Sequence, residues 1–160
     1  MKTVRIFLNK LLELSCSIIL VVMVVLVLYQ VFSRTILNSP NTATEELVRF
    51  GLVWLSMLGS AYVVGKKGHL AVTILSDHLR QSNKQVLETV VQILFLVFAS
   101  SVMIYGGWKA VSVSIGQTSS LLSISMGYVA LSIPVSGVIM FTYSLLDLLE
   151  QKELKESEDN

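Results

Sequence analysis

TATEELVRFGLVWLSMLGSAYVVGKKGHL, residues Thr42 to Leu70, is an apolar run about one bilayer long that opens with Glu45, Glu46 and Arg49 and closes on Lys66, Lys67 and His69. Charge inside or at the mouth of a membrane helix is costly and takes a partner. How these charges are partnered therefore bears on both fold and function. Thr42 followed three residues later by Glu45 fits a capping box, and Glu45 and Glu46 complement the positive end of the helix that starts there. The spacing predicts a spanning helix over about 43–65, stopped at the interface by Lys66, Lys67, Gly68 and His69.

The rest of the chain agrees with a membrane setting. Of 160 residues, 53% are hydrophobic and 14% charged, and the mean hydropathy is +0.71. That is too apolar for a soluble surface built around one core, so the chain is an all-α integral membrane protein. A net charge of +1, with no basic run interleaved with aromatics, excludes nucleic-acid binding. Cys16 is the single cysteine and lies in an apolar run, which leaves no disulfide framework and no thiolate metal site within one chain.

Three further spans follow. Residues 11–33 are apolar apart from Glu13, Ser15, Ser17, Gln30 and Ser33, and at about 1.5 Å per residue they reach roughly 33 Å. No small-residue cleavage site follows Tyr29, so this is expected to be a retained first helix rather than a signal peptide. Its middle, Ile18 to Leu28, holds no side chain able to carry an ion or a proton and reads as a lipid-facing or scaffold surface. The third span is expected over 86–111, with Glu88 and Gln92 near its start and Gly106, Gly107 and Lys109 near its end. The fourth is expected over 126–149, kinked where Pro134 removes the bond to Ala130. Residues 34–41 form a short break, Ser112 to Ser125 a Ser-rich connection, and 150–160 a charged tail expected to fray. Between the second and third spans, 70–82 is too short to span and reads as an amphipathic helix in the headgroup plane. Lys66, Lys67, His69, Arg80 and Lys84 would face lipid headgroups there.

Lys2, Arg5, Lys10, Lys66, Lys67, Arg80, Lys84, Lys152 and Lys155 fall on one side of this arrangement, against Arg34 and Lys109 on the other. The positive-inside rule then predicts both termini and the amphipathic segment on the cytoplasmic side. No internal repeat relates the spans, so the usual signature of a transporter with a midplane site is missing.

Chemistry is scarce. His69 and His78 have no carboxylate at metal-ligand spacing, and the sequence contains no HExxH motif, nucleophile elbow or Gly-rich phosphate loop. The reading is therefore a non-enzyme with no metal and no cofactor. The second span is richer. At 100° per residue, Glu45, Arg49, Leu52, Ser56, Gly59, Ser60 and Val63 share one stripe, with Trp54 on the opposite side. Glu45 and Arg49 are spaced to pair, and the small residues that follow suit close helix packing in lipid. The stripe reads as a helix interface, either inside the bundle or against a partner.

The run EELVRFGLVWLSMLGSAYVVGKKGHLAVTIL resembles the small membrane subunit of tripartite ATP-independent periplasmic (TRAP) transporters, the DctQ-like family. The matching positions are Glu45 or Glu46, Arg49, Trp54, Gly59 with Ser60 and Ala61, Lys66 or Lys67, and Gly68 with His69. SLLSISMGYVALSIPVSGVIMF is similar to that family's last helix through Ser123, Ile124, Tyr128 and Pro134. Thr73 departs from the pattern, standing where an acidic residue is expected. The resemblance implies a subunit that scaffolds a large, sodium-driven membrane subunit and helps a periplasmic binding protein dock. It implies an organic acid as cargo, of sialic-acid or dicarboxylate type. A stand-alone dimeric multidrug exporter is the alternative, and its embedded carboxylate would have to be Glu13, at the very start of the first span.

Overall fold

The computed structural model describes residues 2–36, 42–66 and 81–158 of the chain. Among these residues the regular structure is helical, and Thr118 and Ser125 form an isolated antiparallel bridge. Among the described residues, four helices are long and apolar enough to cross a membrane: Thr3–Thr35, Thr42–Gly65, Thr89–Ser114 and Gly127–Glu150.

Helix α1 (Lys2–Thr35) begins nine residues before the apolar run that hydropathy marks. Its 34 residues reach about 51 Å, well beyond a hydrocarbon core of about 30 Å. The extension has a tertiary cause. Leu8 and Leu12, one turn apart, enter the core, and Arg5 and Asn9, also one turn apart, bond across the bundle. Helix α2 (Thr42–Gly65) starts one residue before the span expected over 43–65.

The third span starts as α3 (Gln81–Phe98), so residues 81 and 82 belong to it rather than to a separate interfacial helix; residues 70–80 of that expected element lie outside the described residues. It passes through a π-helical segment (Ala99–Gly106) and ends as α4 (Gly107–Ser114). At the entry to the π segment the Ser100 and Ser101 hydroxyls both donate to the Val97 carbonyl, at 3.1 and 2.5 Å. Such back-bonding competes with the helical ladder and bends it.

The fourth span is α5 (Gly127–Ala130) and α6 (Ser132–Glu158), broken at Leu131. Pro134 has no N–H to offer the Ala130 carbonyl. On either side of that gap Leu131 still donates to Gly127 at 2.9 Å and Val135 to Leu131 at 3.2 Å. The helix then continues into the charged tail as far as Glu158.

Helix α6 is the centre, packed against α2, α3, α4, α5 and the π segment, while α1 leans chiefly on α2. Leu12, Leu58, Ala61, Val64, Ala99, Met103, Met140 and Tyr143 make the core. Two glycines set its closest approaches. A Cβ on Gly65 would lie 2.5 Å from the Tyr143 ring, and one on Gly137 would lie 2.7 Å from the Met103 Cβ. Small residues admit neighbouring backbones where apolar lipid gives helices no other reason to associate closely. The middle of α1, by contrast, carries exposed Ile18, Leu20, Val21, Val22, Val24, Val25, Val27 and Leu28.

Candidate functional site

Helix α2 has two faces. Thr44, Leu58, Ala61, Val64 and Gly65 are buried in the bundle, and Trp54 packs against the core. On the other face Glu45, Arg49, Leu52, Ser56, Ser60 and Val63 are exposed and Gly59 is half-buried, with open space where its Cβ would stand. The stripe therefore points away from the chain's own helices. Arg49 donates to Glu45 at 2.6 Å, in a pair whose side chains remain 74% and 50% exposed. The Ser60 hydroxyl donates to the Ser56 carbonyl at 2.8 Å, so it is satisfied within the helix and leaves a small, smooth surface.

Lys66, the next turn along from Val63, closes the stripe with a second ion pair. Its Nζ stands 3.4 Å from Glu13 Oε1 and 5.3 Å from the centre of the Tyr62 ring. Tyr62 donates its hydroxyl to the same Glu13 oxygen at 2.5 Å. The Tyr62 hydroxyl first, and the Glu13 carboxylate after it, hold the Lys66 ammonium above its ordinary pKa. Glu13 is thus engaged from α2 at the end of its span. Lys67, His69 and Arg80 lie outside the described residues, as does the side chain of Lys84.

The interior holds a polar cluster at the end of the bundle where α1 begins and α6 finishes. Arg5 donates to Asp147 at 2.9 Å, to Glu150 at 3.2 Å and to the Gly65 carbonyl at 2.7 Å, capping the last turn of α2. Asp147 has no exposed side-chain surface, and its other oxygen accepts from Gln92 of α3 at 3.1 Å. Tyr143 donates to Asn9 at 2.7 Å, one turn below. All four spans thus meet around one carboxylate. Sequence reasoning missed this: Arg5 counted only as an orientation charge, and Gln92 as an interruption of the third span near its start. The available signal was the Arg5–Asn9 spacing in an otherwise apolar stretch, together with an aspartate late in the last span, since ionisable groups at such depth are paired.

At the opposite end, residues 115–126 form an ordered hairpin. Ser119 N–H donates to the Ile124 carbonyl and Met126 N–H to the Gln117 carbonyl, both at 2.8 Å. The Ser125 hydroxyl donates to the Ile115 carbonyl, also at 2.8 Å. Ser123 turns the tip at a φ of 53°, in the left-handed region. Glu46 of α2 reaches this hairpin and accepts from the Leu122 N–H at 3.3 Å.

Among the described residues, no group of three or more His, Cys, Asp or Glu is gathered closely enough to hold a metal ion. What the arrangement offers is surfaces: an outward stripe with an ion pair at each end, a first helix whose apolar middle is exposed, and a clamped tip. Residues 23–153 match the family model described as "Tripartite ATP-independent periplasmic transporters, DctQ component". The chain is 26% identical over 140 residues to a Haemophilus influenzae protein provisionally named TRAP transporter small permease protein, covering 88% of this chain and 86% of that one. It is 25% identical over 140 residues to the sialic acid TRAP transporter small permease protein SiaQ of Vibrio cholerae, covering 88% and 80%. The sialic acid TRAP transporter permease protein SiaT of H. influenzae matches at 25% over 134 residues, covering 84% of this chain and only 22% of SiaT.

Proposed function

The chain belongs to the DctQ component family of TRAP transporters, and from that premise we propose that it holds a large transport subunit in the bilayer through the outward stripe of α2. Members of this family are transporter components rather than enzymes, and the chain is a multi-pass membrane protein. The observation that carries the proposal is the exposure of Glu45, Arg49, Leu52, Ser56, Ser60 and Val63, with Gly59 open beside them, on a helix whose opposite face is buried. The match to less than a quarter of SiaT supports the same pairing, because there a segment similar to this chain is part of a much longer permease.

In this reading the small subunit neither binds nor moves substrate. It widens the assembly with the lipid-facing surface of α1, so that a moving transport domain has a fixed wall to work against. Both termini lie in the cytoplasm of a bacterial inner membrane, as the distribution of Lys and Arg supports. The hairpin at 115–126 then projects into the periplasm and helps a substrate-binding protein dock. Transport is sodium-driven uptake of an organic acid, and the names of two relatives support sialic acid as the type. Family membership and the engagement of Glu13 by Tyr62 and Lys66 set aside the stand-alone exporter.

The test is uptake into proteoliposomes holding the large subunit, with purified binding protein outside and a sodium gradient, with and without this chain. Uptake that needs both the chain and sodium supports the proposal. Full uptake by the large subunit alone overturns it.

A further inference from the structure

We infer that Glu46 is a positioning residue that latches the 115–126 hairpin to the start of α2 and so presents its tip, Ser120 to Ser123, to the docking binding protein. The inference rests on the docking role proposed above. The hairpin is ordered within itself by the Ser119 and Met126 backbone bonds and by the Ser125 hydroxyl, yet those bonds fix only its shape. Its placement over the bundle needs a tie to another element. The Leu122 N–H is shared between two acceptors at 3.3 Å, the Ser119 hydroxyl from within the loop and Glu46 Oε2 from α2. Ser119 is buried beneath the tip, and Glu46 is half-buried beside it. A carboxylate accepting a backbone N–H is a charge-assisted bond, stronger than its neutral counterpart.

The neighbouring carboxylate behaves differently. Glu45, on the adjacent face, is occupied by Arg49 on the outward stripe. Two successive glutamates at one helix start are therefore divided between two surfaces, Glu45 serving the stripe in the membrane and Glu46 the tip outside it. Around the tip, Gln117, Thr118, Ser120, Leu121 and Ser123 are exposed, a polar surface with one apolar side chain held ready for a soluble partner.

The latch predicts a paired result for the assembled transporter carrying Glu46→Ala or Glu46→Gln. In E46A, exchange of the Leu122 amide with deuterium rises at least several-fold while amides within α2 and α6 keep their protection. The concentration of binding protein giving half-maximal uptake rises as well, with the maximal rate retained. E46Q, whose amide oxygen still accepts, stays nearer to wild type on both readouts. Unchanged Leu122 exchange in E46A overturns the latch itself. Faster exchange with an unchanged half-maximal concentration overturns the docking reading on which it rests, and loss of protection throughout α2 overturns a local positioning role.

Discussion

Arg5 and Asp147 lie 142 positions apart in the chain and 2.9 Å apart in the structure, and around them the ends of all four spans are tied. Asp147 is fully buried and Arg5 only 19% exposed, so each charge has lost most of its water. Breaking such a pair from one side leaves the other charge uncompensated, at a cost of about 3–5 kcal/mol. Arg5→Ala and Asp147→Ala are accordingly expected to be the most destabilising single changes at this end of the bundle. Thermal unfolding of the purified chain in detergent checks this. The double variant R5A/D147A should unfold at a higher temperature than the sum of the single losses predicts, because it leaves no orphaned charge between the pair.

Gly65 makes a sharper steric prediction. The Tyr143 ring occupies the place a Cβ would take, at 2.5 Å, and Tyr143 is fully buried and anchored through Asn9. Gly65→Ala forces the ring or the end of α2 to move and should cost about 1–3 kcal/mol. Tyr143→Leu removes the ring and gives up the Asn9 bond. In the G65A/Y143L double variant the alanine penalty should largely vanish, which a double-mutant cycle on unfolding temperature measures. Strict additivity would mean that the two residues do not meet.

The spans were legible because hydropathy and length act locally, and the two faces of α2 were legible because helical periodicity put Trp54 opposite the Arg49 stripe. Other features were out of reach for physical reasons. Asp147 drew no reading of its own inside the fourth span expected over 126–149, since the arginine that pairs with it belongs to the other end of the chain. The same tie explains why α1 runs on to Lys2 where apolar periodicity alone stops at residue 11. The 112–125 stretch read as a plain Ser-rich connection. Its order depends on bonds from Ser119 and Ser125 to chosen carbonyls and amides, and no spacing rule announces those. Pro134 announced a disturbance, but the break falls at Leu131, where the chain loses the partner for the Ala130 carbonyl.

Gly59 separates folding from assembly. Nothing stands within 4 Å of a Cβ added there, so the chain alone has room for a larger side chain. Gly59→Leu should leave the unfolding temperature of the isolated chain unchanged or slightly raised, since glycine in a helix interior is intrinsically unfavourable. In the complex the leucine would hold the two helix surfaces apart. Recovery of the co-expressed large subunit on an affinity-tagged small subunit should fall at least several-fold. Arg49→Glu should act the same way, with a loss in the isolated chain of only about 0.3–0.5 kcal/mol for the exposed i,i+4 pair. Undiminished recovery of the large subunit with both variants would remove the stripe from the interface.

The Glu13, Tyr62 and Lys66 group tests whether the interface extends to the second ion pair. In the isolated chain the Glu13 and Lys66 side chains are half exposed, and exposed ion pairs contribute little to folding. Tyr62→Phe deletes only the hydroxyl that donates to Glu13, keeping the ring under Lys66. Little change in unfolding temperature is expected for Y62F or Glu13→Gln alone. Once a partner covers this end and excludes water, the same bonds act in a lower dielectric and their loss is felt more strongly. Y62F and E13Q should therefore shorten the lifetime of the complex in detergent, measured as dissociation of a labelled large subunit, while leaving the free chain as stable as before. Equal and small effects on both would confine the interface to the part of α2 between Glu45 and Val63, with Lys66 facing lipid headgroups instead.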